Sequence, residues 1–140
     1  MQQDWKQARQ ALSKNGYTCV LCRDGQFYTS TQRGVAPLLG WLKEGSVAPG
    51  FCAADKVVGR ATAFLYCLLG ARAVYAGVMS LGALEVLQRH DILAACDETV
   101  EHIRNRTNDG MCPMESATLS IHRPEEALRA IEQALEKLRS

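Results

Sequence analysis

An acid, a base and a glycine stand close together in Ala53-Ala54-Asp55-Lys56-Val57-Val58-Gly59-Arg60, where one apolar run ends and another begins. An aspartate at a helix start accepts hydrogen bonds from the first free N–H groups and sits at the positive end of the dipole. A lysine in the first turn opposes that dipole, and Arg60, one turn later, repels it on the same face. Two like charges beside free N–H groups form an anion-binding arrangement. The spacing therefore predicts a helix from Asp55 to Leu69, with Asp55 as its cap, Lys56 in its first turn and Gly59 open to close approach by a backbone or a ligand. The plain alternative is a cap beside two solvated bases.

Cys112-Pro113-Met114-Glu115 is the second stretch with chemistry in it. Pro113 fits the first helical position, which makes Cys112 the expected N-cap, where a thiol feels the dipole and can serve as a nucleophile. Ser80 is a good cap for another helix, and Arg106 lies in the polar loop Asn105 to Gly110. The candidate ligand-binding residues are thus Asp55, Lys56, Gly59, Ser80 and Arg106, with Cys112, Asp55 and Lys56 as the candidate catalytic set. Cys19 and Cys22 are three apart in an extended run, so their sulfurs point to opposite faces of a strand and do not close on one metal. His90, His102 and His122 have no ligand spacing. No metal and no cofactor are expected.

These groups must be positioned by a chain of 140 residues that is 47% hydrophobic and 22% charged, with a formal charge of +1. That composition predicts a single domain over residues 1–140, with no basic field to attract nucleic acid. Met1 to Leu12 has no signal-peptide core and no run is long enough to span a bilayer, so a cytoplasmic protein with no membrane partner is expected. In that compartment the six cysteines are thiols, and Asn105-Arg106-Thr107 is not a glycosylation acceptor. Homo-oligomerisation is left open.

A first helix capped by Asp4 stops at Asn15-Gly16, and strands Tyr17 to Arg23 and Gln26 to Ser30 flank the turn Asp24-Gly25. The first strand is apolar or small on both faces, as in a layer between helices. A helix over Gly34 to Glu44 leads through a loop to the short extended piece Phe51 to Ala54. The buried helix beginning at Asp55 comes next, and then a strand over Ala73 to Met79. The Ser80-capped helix precedes a short strand, Ile92 to Cys96. Strand-helix-strand alternation implies parallel pairing. A short turn through Val100 and Ile103 follows, and a closing helix after Pro124 is expected to pack on the sheet. The fold class is α/β, three layers with a mixed sheet.

Ala54-Asp55-Lys56-Val57-Val58-Gly59, Val74-Tyr75-Ala76-Gly77-Val78-Met79-Ser80 and Met111-Cys112-Pro113-Met114-Glu115 together resemble domain-of-unknown-function family eighteen ninety-three. The resemblance implies a cytidine-deaminase-like fold and no established activity. Deaminase zinc chemistry needs a His or Cys with a nearby Glu at one helix start and Pro-Cys-x-x-Cys at the next. The corresponding starts here are assigned Asp55-Lys56 and Ser80-Leu81, so that chemistry is not expected. Three functions compete. One is a binder of a small nucleoside-like or anionic molecule around Asp55, Lys56 and Ser80. Another is a metal-independent enzyme with Cys112 as nucleophile. The third is an interaction protein anchored by Trp5 or Trp41, each more simply a core residue.

Overall fold

The computed structural model describes residues 2–139. Helix α1 (Gln2–Lys14) precedes a hairpin of β1 (Cys19–Arg23) and β2 (Gln26–Ser30), followed by α2 (Ala36–Glu44). Then come β3 (Cys52–Val58), α3 (Arg60–Leu69), β4 (Ala73–Ser80), α4 (Leu81–Arg89) and β5 (Leu93–Val100). Helices α5 (Pro113–Thr118) and α6 (Pro124–Arg139) complete the chain. The sheet order is β2-β1-β3-β4-β5, so the fold is α/β with a mixed sheet of five strands. β1 is antiparallel to both β2 and β3, whereas β3, β4 and β5 run parallel.

Asp24 and Gly25 both have positive φ, 49° and 82°, the geometry that a two-residue hairpin turn demands and that Asp-Gly accepts most readily. α1 covers one face of β1 and β3 through a small core of Ala8, Leu12, Val20, Cys22 and Ala54. The larger core lies on the other face, where α3 is buried nearly all round and brings Phe64, Leu65 and Tyr66 against Phe51, Val74 and Met79. Cys19 joins this second core, so Cys19 and Cys22 do lie on opposite sides of the sheet.

Several boundaries differ from the sequence reading. β3 does not stop at Ala54: it continues through Asp55, Lys56, Val57 and Val58, and the helix starts only at Arg60. β-branched Val57 and Val58 favour a strand, and Gly59, extended at φ −96° and ψ −178°, is the N-cap. Asp55 is therefore not a cap, and Lys56 is not in a helical turn. α1 begins before Asp4, whose carboxylate instead accepts from the Asp24 N–H across the hairpin. β5 runs on to Val100, and the segment beyond it, expected as a simple turn, forms a bridge between Arg104 and Met111. α6 packs on α3 and α5, with no substantial contact to the sheet. Among the described residues, no helix is long and apolar enough to cross a membrane.

Candidate functional site

A cavity of about 360 Å³ opens beyond the carboxyl end of β3. β3 has an antiparallel neighbour on one side and a parallel one on the other, so the chain leaves it in a direction that β1 does not follow. Ligands of open α/β sheets bind at such divisions, outside the carboxyl ends of strands. Asp55, Lys56 and Val57 come from β3, Thr18 and Cys19 from the start of the antiparallel β1, and Gln32 to Pro37 from the approach to α2. Gly59, Ala61 and Thr62 at the start of α3 form another wall, and Ile103, Cys112, Met114 and Glu115 close it.

Asp55 brings a buried carboxyl to this cavity. It is 7% exposed, its Oδ2 accepts from the Tyr66 hydroxyl at 2.8 Å, and the Cys19 Sγ lies 3.2 Å from that same hydroxyl. With the phenol proton directed at Asp55, the thiol is left as donor to the phenol oxygen. Among the described residues Asp55 forms no ion pair. Burial raises its carboxyl to about 7, against hydrogen bonds from Tyr66 and then the Val57 N–H, which favour the ionised form. Burial, and then the nearby Asp55 charge, also push the Cys19 thiol and the Tyr66 phenol well up. The cavity floor thus holds a carboxyl that exchanges its proton near neutral pH, beside two groups that stay protonated.

Glu115 carries the opposite wall. It is 3% exposed, and its Oε1 accepts from the Arg60 N–H at 2.6 Å and from the Ser80 hydroxyl at 3.3 Å. Its Oε2 accepts from the Ile103 N–H at 2.7 Å. One carboxylate therefore satisfies a free donor at the start of α3, touches the cap of α4, and pins the segment before α5. Gly59 leaves the room for this: a Cβ there would lie 3.0 Å from Glu115 Oε1 and 3.0 Å from Ile103 Cγ1. The close approach expected at Gly59 is thus made by a side chain of the protein itself.

Arg60 is not the second cation of an anion site. It is 5% exposed and turned inward, donating from Nε to the Thr118 carbonyl at 2.9 Å and from its terminal nitrogens to the Gly82 and Ile121 carbonyls and to Glu85. His122 Nδ1 lies 3.3 Å from the same guanidinium. Arg60 ties α3 to α4 and to the chain around α5. The charges that do reach the cavity are exposed Lys56 and exposed Arg33, the latter missed by sequence reasoning.

Of the sequence candidates, Asp55, Lys56, Gly59 and Cys112 converge on this cavity. Ser80 caps α4 by accepting from the Ala83 N–H and meets the site only through Glu115, while Arg106 is exposed in its loop and does not line the cavity. Cys112 precedes Pro113 as expected, but α5 has six residues and the Cys112 side chain makes no capping bond. Sequence reasoning places none of Thr18, Cys19, Tyr66 and Glu115 in the site, and weighs Cys19 only as a metal pair with Cys22. Tyr66 in an otherwise apolar helix is the available signal, because a buried phenol needs a partner. Neither tryptophan is exposed: Trp41 packs edge-on to Tyr28, and the buried Trp5 Nε1 has no hydrogen-bond partner. Among the described residues no three His, Cys, Asp or Glu side chains gather as a metal site.

A family described as a domain of unknown function (DUF1893) matches residues 7–135 of the chain. Among solved structures, the crystal structure of a DUF1893 family protein (TM1506) from Thermotoga maritima is similar in fold, with a TM-score of 0.87 at 22% identity. The match covers 95% of this chain and 90% of that one. No curated protein matches.

Proposed function

The chain belongs to the DUF1893 family, and from that premise we propose that its cavity binds a small nucleoside-like or anionic molecule. The observation that carries this reading is the meeting of a buried proton-exchanging carboxyl, Asp55, with the cations Lys56 and Arg33 around one apolar-walled space. Its volume of about 360 Å³ falls in the range of small-ligand sites. Val35, Val57, Ile103 and Met114 offer surface to a flat body, Asp55 and Thr18 fix its polar edge, and Lys56 and Arg33 take the charge at the mouth.

We read the fold as cytidine-deaminase-like, with the mixed sheet between helices in support. The starts of α3 and α4 carry Gly59-Arg60-Ala61-Thr62 and Ser80-Leu81-Gly82-Ala83, and neither supplies the thiolates or imidazole of a catalytic zinc. In place of an ion held between those two helix starts, the Glu115 carboxylate bonds to Arg60 and Ser80.

Lys56→Ala tests the binding reading. Lys56 is exposed on a strand, so its loss should change the unliganded stability by no more than about 0.5 kcal/mol. In a thermal-shift screen of nucleotides and small anions, a ligand at a hundred times its Kd should stabilise the native protein by about 2.7 kcal/mol and should fail to do so for the variant. A markedly less stable unliganded variant would make Lys56 structural and remove the reading's main support.

Cys112 on the same cavity as Asp55 favours one second reading, a metal-independent enzyme with Cys112 as nucleophile. Iodoacetamide at limiting concentration should then label Cys112 before the other five thiols, of which Cys19, Cys22 and Cys52 are buried and Cys67 is pushed up to about 12 by burial. Labelling of Cys96 first, read by peptide mass spectrometry, rules this enzyme out.

A further inference from the structure

We propose that Cys22 and Cys52 are a redox-active dithiol covered by α1, which closes to a cross-strand disulfide when a low-molecular-weight disulfide reaches it. The site lies on the far side of the sheet from the cavity and is independent of what the cavity binds.

Register places the two sulfurs together. Cys22 and Cys52 are directly opposed in the antiparallel β1–β3 pair, so their side chains leave the same face. That face is the one under α1: Cys22 packs there with Ala8 and Leu12, and Ala54, two residues from Cys52, does the same. The Lys56 N–H donates to the Thr18 carbonyl at 3.1 Å, and counting down that ladder by twos makes Cys22–Cys52 a hydrogen-bonded pair. Cα atoms of such pairs are about 5.5 Å apart, inside the Cα span of a disulfide, but their Cβ atoms are the wider of the two cross-strand kinds, about 5.5 Å, so closure to the about 3.5–4.5 Å of a disulfide draws β1 and β3 together locally. Cys19 faces the opposite core and so cannot compete.

The cover is light, and it makes direct contact with one of the thiols. α1 buries only Ala8 and Leu12, and the indole N–H of its Trp5 is buried without a partner, a defect that works against docking. The Cys22 thiol points at Gln7 Oε1, 3.6 Å away, and Asp4 Oδ1, 3.9 Å away, both on α1. A disulfide sulfur has no proton to donate, so oxidation deletes these contacts and loosens α1, whereas the dithiol favours the docked helix. With α1 in place, burial and then the Asp4 carboxylate hold both thiols above their usual range. Opening α1 removes both effects at once.

The chemistry balances by exchange. One cysteine loses its proton and its sulfur attacks the external disulfide, releasing one small thiolate and leaving a mixed disulfide. The second cysteine, also deprotonated, displaces the other small thiolate, and the two released thiolates take up the two protons. The protein is oxidised by two electrons and the external disulfide is reduced by two.

The test treats the whole chain with oxidised glutathione at mildly alkaline pH, quenches by alkylation and maps peptides without reduction. Cys22–Cys52 should be the first intramolecular link to appear. Leu12→Ala, which weakens the seat of α1, should speed it about tenfold or more, because the rate follows the population of the open form. Asp4→Asn, which keeps an acceptor for the Asp24 N–H but removes the charge, should also speed it and guards against loss of folding in the first variant. Hydrogen exchange over residues 2–14 should rise in the linked form. Absence of the link in both folded variants, or a rate unaffected by either, overturns the proposal.

Discussion

Replacing Asp55 by asparagine should stabilise the protein at pH 8 by up to about 4 kcal/mol, and should remove most of the loss of stability that the native chain shows between mildly acidic and neutral pH. The carboxyl of Asp55 titrates at about 7 in the folded protein because it is buried, whereas in the unfolded chain it titrates near about 3.9. Below the unfolded value it is protonated in both states and has no effect on the balance. Between the two values the unfolded chain has released its proton and the folded protein has not, so stability falls by about 1.4 kcal/mol for each pH unit. Above the folded value both forms are ionised and the loss is complete.

Among the described residues no other displaced group titrates in that window. Asp109 is shifted the opposite way by the Thr107 and Asn105 side chains, but it titrates lower and is solvent-exposed. The shifted thiols and phenols titrate above it. Urea unfolding of both proteins at several pH values decides the matter. A native stability that is flat or rising from pH 5 to 8 would mean that Asp55 is ionised in the fold. A buried asparagine or leucine would be more stable at this position, and a carboxyl kept at such a cost supports the proposed binding role of Asp55.

How much of this is legible in the sequence depends on whether the physics is local. The Asp24-Gly25 turn, the end of α3 at Leu69, where left-handed Gly70 follows, and the Ser80 cap are each decided within four residues, and each can be read directly. Asp55 stands out as a site residue in the sequence for a reason that the structure overturns. Its apparent role as a helix cap ignores the strand preference of Val57-Val58 and the ability of Gly59 to begin a helix. The side-chain acceptor at the start of α3 comes from Glu115, 55 positions after Arg60, and no periodicity announces a partner at that distance. Arg60 shows the same limit from the other side. Its charge looks solvated in the sequence because the Thr118, Gly82 and Ile121 carbonyls that bind it are brought to it only by the packing of three helices. Cys112 and Asp55 share a cavity for the same non-local reason, since Glu115 draws the start of α5 over the end of β3.

That dependence makes Glu115→Ala the most damaging single change expected on the far wall, with a loss of about 3 kcal/mol. The Arg60 N–H and the Ile103 N–H would each lose a short bond, of 2.6 and 2.7 Å, and a buried donor left without a partner costs about 1–3 kcal/mol. Ser80 can turn its hydroxyl elsewhere and still accept from Ala83, so it contributes little. Removing a buried carboxylate recovers some desolvation energy, which keeps the total below the sum of the parts. Glu115→Gln should fall between the two proteins: its amide oxygen can serve Arg60, but its NH2 then faces the Ile103 N–H, donor against donor. Urea unfolding gives the order, and faster amide exchange at Arg60 and Ile103 in the alanine variant would locate the defect. If the glutamine variant is as stable as the native protein, the Ile103 bond contributes nothing and the Arg60 bond carries the wall. With the wall loosened, any ligand stabilisation that depends on Lys56 should weaken in Glu115→Ala as well, although Glu115 carries the charge opposite to the one that attracts the ligand.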